Sequence, residues 1–343
     1  MMRTTEHRPR RRSRLLVAVA AAALLALTGC SAGGDGDAVG ETTVTHAFGD
    51  TVVPANPQRV VSVGLTEQDT LLALGIVPVG VTEWYGDQPY ATWPWARDLL
   101  GDATPEVLSQ VDGIQFEKVS ALEPDLIIGT NAGMSADDYA RLSAIAPTVA
   151  HSDPDSPYFE PWDQQVRTIG AAVGKPDEAD ALVRGVEDRY RDAAAQHPEF
   201  ADTKAVFLQN AFYDGNAIAY QDGLSTDFLT SLGFTIPDEL DAFVTAQDAQ
   251  AYIPLENLSV LDAADVLIWG TEDTDDRTAL EADPVYASLQ EVRENRVVFT
   301  DGVVAGAIYF TSPLSLPYLL DALVPALSST LAGDGPATAA GPA

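Results

Sequence analysis

The chain has 343 residues, one cysteine, and 51 acidic against 19 basic side chains, for a formal net charge of −32. With 46% apolar residues it is too hydrophobic to be a disordered acidic polymer, and its shortage of Lys and Arg excludes nucleic acid as the main partner. A single cysteine excludes a disulfide framework and any cysteine-based zinc site, and the length predicts two domains.

The chain opens with Arg3, Arg8, Arg10, Arg11, Arg12 and Arg14, followed by an unbroken apolar run of 13 residues, Leu15 to Leu27. That run is too short to span a bilayer and has the layout of an export signal. It ends in Leu27-Thr28-Gly29-Cys30, which resembles a bacterial lipobox. Residues 1–29 are therefore expected to be a signal peptide and Cys30 the lipidation site. The Gly/Asp/Ser-rich stretch after Cys30 predicts a lipidated flexible tether over residues 30–45. Cleavage would leave 13 basic and 50 acidic residues, a net charge of −37. The expected location is the outer face of the bacterial cell membrane, held by the lipid alone.

From Val60 the pattern is strand, short helix, strand: Val60–Gly64, Thr66–Leu74 stopped by Gly75, then Val77–Val81. A further helix, Glu117–Leu122, is broken at Pro124 and leads into the buried run Asp125–Gly129. This alternation predicts β-α-β units and a largely parallel sheet. The grammar then repeats. Phe116–Thr130 aligns with Leu255–Thr271, sharing Glu, Ser, Leu, Asp, Ile, Gly and Thr, and Asp69–Gly75 aligns with Asp227–Gly233. Two echoes in the same order predict two lobes of common design. Between them, Leu182, Val186 and Tyr190 form one apolar stripe on a helix bounded by Pro176 and Pro198. At about 1.5 Å per residue this helix is long enough to reach from one lobe to the other. The fold class is α/β: two Rossmann-like lobes with mainly parallel sheets, joined by one long helix. The expected boundaries are 46–175 for the N-terminal lobe, 176–198 for the interlobe helix, 199–334 for the C-terminal lobe and 335–343 for a disordered tail.

Several segments in order resemble the iron-siderophore substrate-binding lipoproteins of ABC importers, in the helix-linked class (class III periplasmic-binding-protein fold) that also holds vitamin B12 and haem binders. They are Arg59–Val63 through Leu74-Gly75, Leu122-Glu123-Pro124-Asp125-Leu126-Ile127, Leu142–Val149, and Asn295-Arg296-Val297-Val298, where Arg stands in place of the family's Gly. The resemblance implies a binding protein without enzymatic activity, which delivers a ferric chelate to a permease driven by an ATPase. It also implies that one surface Glu per lobe, Glu117 and Glu256, docks on permease arginines. A carboxylate at a helix start suits the helix dipole, and Arg–carboxylate pairing is geometrically selective. The expected state is a monomer.

In open α/β sheets the ligand sits beyond the carboxyl ends of the strands. The loops there supply candidate ligand-binding residues Trp84, Tyr85, Trp93, Trp95, Arg97 and Asn131 from the first lobe, and Tyr213, Tyr220, Tyr309 and Phe310 from the second. Trp162 and Trp269 read as core residues. Rigid aromatic rings suit a bulky, partly apolar chelate. With so few basic residues, a neutral or cationic ferric hydroxamate fits better than an anionic catecholate. No cofactor is expected, and the iron stays with its chelator. Haem or a cobalamin-type ligand remains an alternative on the same fold. Direct metal capture is disfavoured because His46, His151 and His197 are scattered. A lipid-anchored hydrolase is disfavoured by the lack of a Gly-x-Ser-x-Gly elbow or a phosphate loop.

Overall fold

The computed structural model describes residues 42–154, 157–158, 160–223, 225–245 and 250–341. Cys30 and the expected signal peptide lie outside them. In chain order the elements begin with a hairpin, β1 (Thr42–His46) and β2 (Gly49–Val53). The N-terminal lobe follows with β3 (Val60–Ser62), α1 (Glu67–Ala73), β4 (Gly80–Glu83), α2 (Pro94–Leu100), β5 (Glu106–Ser109), α3 (Phe116–Ala121), β6 (Leu126–Gly129), α4 (Ala136–Ser143), β7 (Thr148–Ala150) and α5 (Trp162–Ala172). Next comes the long helix α6 (Pro176–Gln196). The C-terminal lobe comprises β8 (Ala205–Tyr213), β9 (Asn216–Tyr220), α7 (Asp227–Thr230), β10 (Ala251–Pro254), a 3-10 segment (Leu255–Ala263), β11 (Val266–Gly270), α8 (Thr274–Ala282), α9 (Gln290–Arg293), β12 (Val297–Thr300), α10 (Gly302–Phe310), α11 (Ser315–Ala332) and β13 (Ala337–Ala339).

The first lobe carries a five-stranded sheet, order β5-β4-β3-β6-β7, parallel throughout. The second carries six strands, order β10-β9-β8-β11-β12-β13. Strands β8, β11, β12 and β13 run parallel, whereas β9 and β10 run antiparallel at one edge. Central strands β6 and β11 are buried at every residue, as strands with helices on both faces must be. The internal repeat is structural. Strands β6 and β11 hold equivalent places in the two sheets, and the repeated Asp does the same work in each lobe. Asp125 accepts the backbone N–H groups of Gln58 and Arg59 at 2.7 and 2.9 Å, and Asp265 accepts that of Lys204 at 2.9 Å. Each thereby holds the neighbouring strand's start in register.

Helix α6 belongs to both cores. Its early residues Ala179 and Val183 pack into the N-terminal core, and Val186 and Tyr190 into the C-terminal core. Val186 and Tyr190 are buried as the expected stripe requires, but Val183 takes the place of Leu182, which is only partly buried. Lys175 Nζ donates to the carbonyl of Leu74 at 2.6 Å, and Tyr190 Oη to that of Leu316 at 3.0 Å. These contacts fix the link at both ends.

Three expectations need correction. Residues 42–45 of the expected tether form β1, paired with β2 from Thr42 opposite Val53 to His46 opposite Gly49. Its alternating buried residues Val44 and His46 give the pair a core-facing side. The expected disordered tail contains β13, which pairs with β12; Asp301 N also donates to Ala339 O at 3.0 Å. The strand expected over 77–81 lies at Gly80–Glu83. Pro78 has no N–H to offer a ladder, and pairing begins only where Val79 N reaches Val60 O at 2.8 Å.

Candidate functional site

The carboxyl ends of β3, β4 and β6 open onto a cleft of about 810 Å³, mouth included. Leu65, Trp84 and Asn131 lie there, beside the segment entering α5. The opposite wall is the turn into α7, with Ser225 and the helix's first residue Asp227, and the end of α10, with Tyr309, Phe310 and the capping Thr311. Both lobes therefore line one cavity at the place where strand polarity puts ligands.

Glu67 fastens the N-terminal floor. Its carboxylate is buried and accepts the backbone N–H of Asn131 at 2.7 Å and of Thr66 at 3.1 Å. This ties the loop after β3 to the loop after β6. A Cβ at Gly64 would come within 2.0 Å of Glu67 Oε1, so only glycine allows this approach. Burial raises the carboxyl's pKa, and the hydrogen bonds from Asn131, Thr66 and Ser62 partly offset that rise. Asn131 is set in turn by its Nδ2 donation to Thr66 Oγ1 at 3.1 Å.

The aromatics form a chain across the lobe boundary. Trp84 lies 5.6 Å from Phe310 and Tyr85 5.7 Å from Tyr309, centroid to centroid. Trp93 stacks on Trp95 at 5.1 Å and 8°, and both rings meet Phe310 edge-on. Much of this aromatic surface closes one lobe on the other. Of the ten candidate ligand residues, Trp84, Asn131, Tyr309 and Phe310 line the cleft. Trp84 is the most open ring among them, 40% exposed.

The other six lie elsewhere. Trp93 is buried, pressed against Gly86 and Gly306. Trp95 is held by its indole donation to Asp69 Oδ2 at 2.7 Å. Tyr85 is wedged between Trp84, Trp93 and Tyr309. Arg97 stands exposed on α2, bonded to Gln88 at 3.1 Å. Tyr213 is 67% exposed at the tip of the β8–β9 hairpin. Tyr220 is buried in the C-terminal core, with its hydroxyl 3.0 Å from Gln209. Position along the chain does not say which way each of these side chains turns, and Trp95 and Arg97 lie within α2 rather than in a loop.

Sequence reasoning also missed lining residues. Tyr158 and Glu160 enter from the stretch leading into α5, and Trp162 and Gln165 from its first turns. Its prolines, Pro154, Pro157 and Pro161, were the available signal of a built loop. Trp269 is fully buried, as expected, whereas Trp162 is only partly buried and faces the cleft. Among the described residues no Lys, Arg or His lines the cavity, and its ionisable carboxylates are Glu160 and Asp227. Glu117 and Glu256 are both exposed, on the first turns of α3 and of the 3-10 segment. Among the described residues no group of three or more His, Cys, Asp or Glu is placed to hold a metal ion.

Two α/β lobes on one shared helix, with a cleft at the strand ends, are the architecture of a solute-binding protein. The chain belongs to the periplasmic binding protein family, whose model matches residues 60–304. It is 30% identical over 298 residues to a Bacillus subtilis protein named "Probable siderophore-binding lipoprotein YfiY", covering 81% of this chain and 85% of that one. A periplasmic solute binding protein of Mycobacterium smegmatis superposes with a TM-score of 0.79 at 48% identity, covering 85% and 99%. Streptococcus pneumoniae PiaA in complex with ferrichrome superposes at 0.73 with 26% identity, again covering 85% and 99%.

Proposed function

We propose that this protein is the solute-binding component of an ABC importer, and that it captures a ferric siderophore in the interlobe cleft and hands it to a membrane permease coupled to an ATPase. The observation that carries this reading is the cleft itself: aromatic-walled, shared by both lobes, and placed at the strand ends of a family member. The named relatives support it, since one is called siderophore-binding and another was crystallised with ferrichrome. The protein's part is to bind, with no catalytic step, and the iron remains inside its chelator.

Ligand preference follows from charge. A tri-anionic catecholate entering this cavity would meet carboxylates and, among the described residues, no cation, an unfavourable pairing in a low-dielectric site. A neutral or cationic hydroxamate avoids that cost. Cys30 would anchor the chain to the outer face of the membrane; no helix of the described residues is long and apolar enough to cross one. Glu117 and Glu256, one on each lobe, would meet the permease.

The test is quenching of tryptophan fluorescence by ferrichrome, a ferric tricatecholate and haemin. Saturable quenching by ferrichrome with a dissociation constant of about 1 μM or tighter, on the order of −8 kcal/mol, is expected. Saturation by haemin alone would replace the siderophore by haem.

A further inference from the structure

The second sequence echo pairs Asp69 with Asp227, and the two carboxylates have opposite surroundings. Asp69 is buried and accepts hydrogen bonds from Trp95 and Ser312. Asp227 opens α7 on the cleft wall, and among the described residues no hydrogen bond reaches its carboxylate. It stands exposed at the rim of the cleft, and its pKa is raised by partial desolvation and by the charges of Asp163 and Asp222.

Glu160 lies in the same cavity. It is only 3% exposed. Its Oε1 accepts from the Ser152 hydroxyl, while Oε2 has no partner. A buried carboxylate oxygen without a donor is costly to leave in place, and it points to a group that arrives with the ligand. Asp163 is close enough to raise both pKa values, but its own charge is paired with Arg167. Beyond Asp227 and Trp162 the cleft adjoins a second hollow beneath α6, into which Asp163 and Glu187 also face. Arg191 is the one basic residue lining it among the described residues, paired with Asp188 at 2.7 Å. Trp84 and Trp162 line the same cavity, and aromatic rings favour a cation over their faces.

We propose that Glu160 and Asp227 form a cation subsite, which receives a pendant ammonium group of the ferric chelate while the aromatic walls hold its iron-bearing body. This rests on the siderophore-binding reading and narrows it to chelates that carry a positive charge outside the iron centre.

The experiment compares two probes that differ by one charge: ferrioxamine B, a linear trihydroxamate ending in a primary ammonium, and its N-acetylated form. Tryptophan quenching would measure both on the wild-type protein, on Glu160→Gln and on Asp227→Asn, each checked for folding by thermal melting. The free ammonium form should bind about ten-fold tighter or more, the range of a charge-assisted hydrogen bond, and the gap should narrow as salt is raised. In either variant the gap should shrink to about three-fold or less. Equal affinities on the wild-type protein, both measurable, would overturn the subsite and leave the siderophore reading standing. Failure of both probes and of ferrichrome to bind would overturn the reading and the subsite together. Should one variant not fold, the other and the wild-type comparison still decide.

Discussion

Asp69 in α1 of the N-terminal lobe accepts a 2.5 Å hydrogen bond from the hydroxyl of Ser312 in the C-terminal lobe, joining parts of the chain 243 residues apart. Trp95 donates to the same oxygen at 2.7 Å, and the other oxygen, Oδ1, has no partner. Burial lifts the carboxyl from its ordinary 3.8 to about 6, against the pull of Ser312 and Trp95. A raised folded-state pKa means that the folded protein holds this proton more firmly than the unfolded chain. The stabilisation is complete below the unfolded value and is lost as pH rises through about 6. The shift corresponds to about 3 kcal/mol as an upper figure. Asp69→Asn should therefore gain on wild type as pH rises from 4.5 to 7.5, measured by denaturant unfolding at both values. A difference that stays constant with pH would sink the assignment.

Gly306 of α10 lies against the ring of Trp93 from the other lobe, where a Cβ would come within 2.5 Å. Gly→Ala in a helix interior ordinarily stabilises by about 1 kcal/mol. Here overpacking should outweigh that gain and cost about 1–3 kcal/mol. Thermal unfolding of Gly306→Ala would show the loss, and adding Trp93→Phe should recover part of it. A neutral or stabilising Gly306→Ala would mean that the lobes do not meet at this contact.

Trp84 is the open ring of the aromatic chain and Arg97 lies outside the cleft. Trp84→Ala should weaken ferrichrome binding by about ten-fold or more, as loss of an aromatic anchor does. Arg97→Ala should change it by less than about two-fold, well under 1 kcal/mol. Titration of both variants checks the assignment, and a reversed order would place the ligand against α2.

Charge reversal at the docking pair, Glu117→Lys with Glu256→Lys, should abolish uptake of radioactive iron presented on the chelate. Affinity for the free chelate should stay unchanged, because both residues are exposed and neither lines the cleft. Normal uptake by the double variant would remove the docking role.

Cys30→Ala should move the protein from the membrane fraction to the soluble fraction, since a lipid chain is the only anchor the reading provides. Continued recovery with membranes would require another attachment.

Parts of the site were legible in the sequence because they are local. The repeated Asp125 and Asp265 were visible as an echo, and each caps the neighbouring strand. Trp84 and Tyr309 were visible as aromatics beyond strand ends or in late loops. The antiparallel edge of the second sheet was also signalled, by Asp214-Gly215, both with positive φ in the β8–β9 turn. That dipeptide is a strong hairpin cue, and the expectation of a mainly parallel sheet passed over it. Glu160 was not legible: one acid among 51 carries no mark of burial.

The sequence by itself determined the α/β lobes, their shared helix and the repeat, because strand and helix periodicity act over a few neighbours, and the family resemblance rested on short motifs in a fixed order. Only the tertiary structure decided which aromatics face the cleft, which carboxyl is buried and which is left open. Trp93 is covered because α10 packs against it from two hundred residues away in the chain. Asp69 takes donors from Trp95 and Ser312 on one oxygen inside the closed interface, whereas its counterpart Asp227 stays exposed at the cleft wall. Such differences depend on desolvation by distant segments, and that is fixed only when the lobes close on each other.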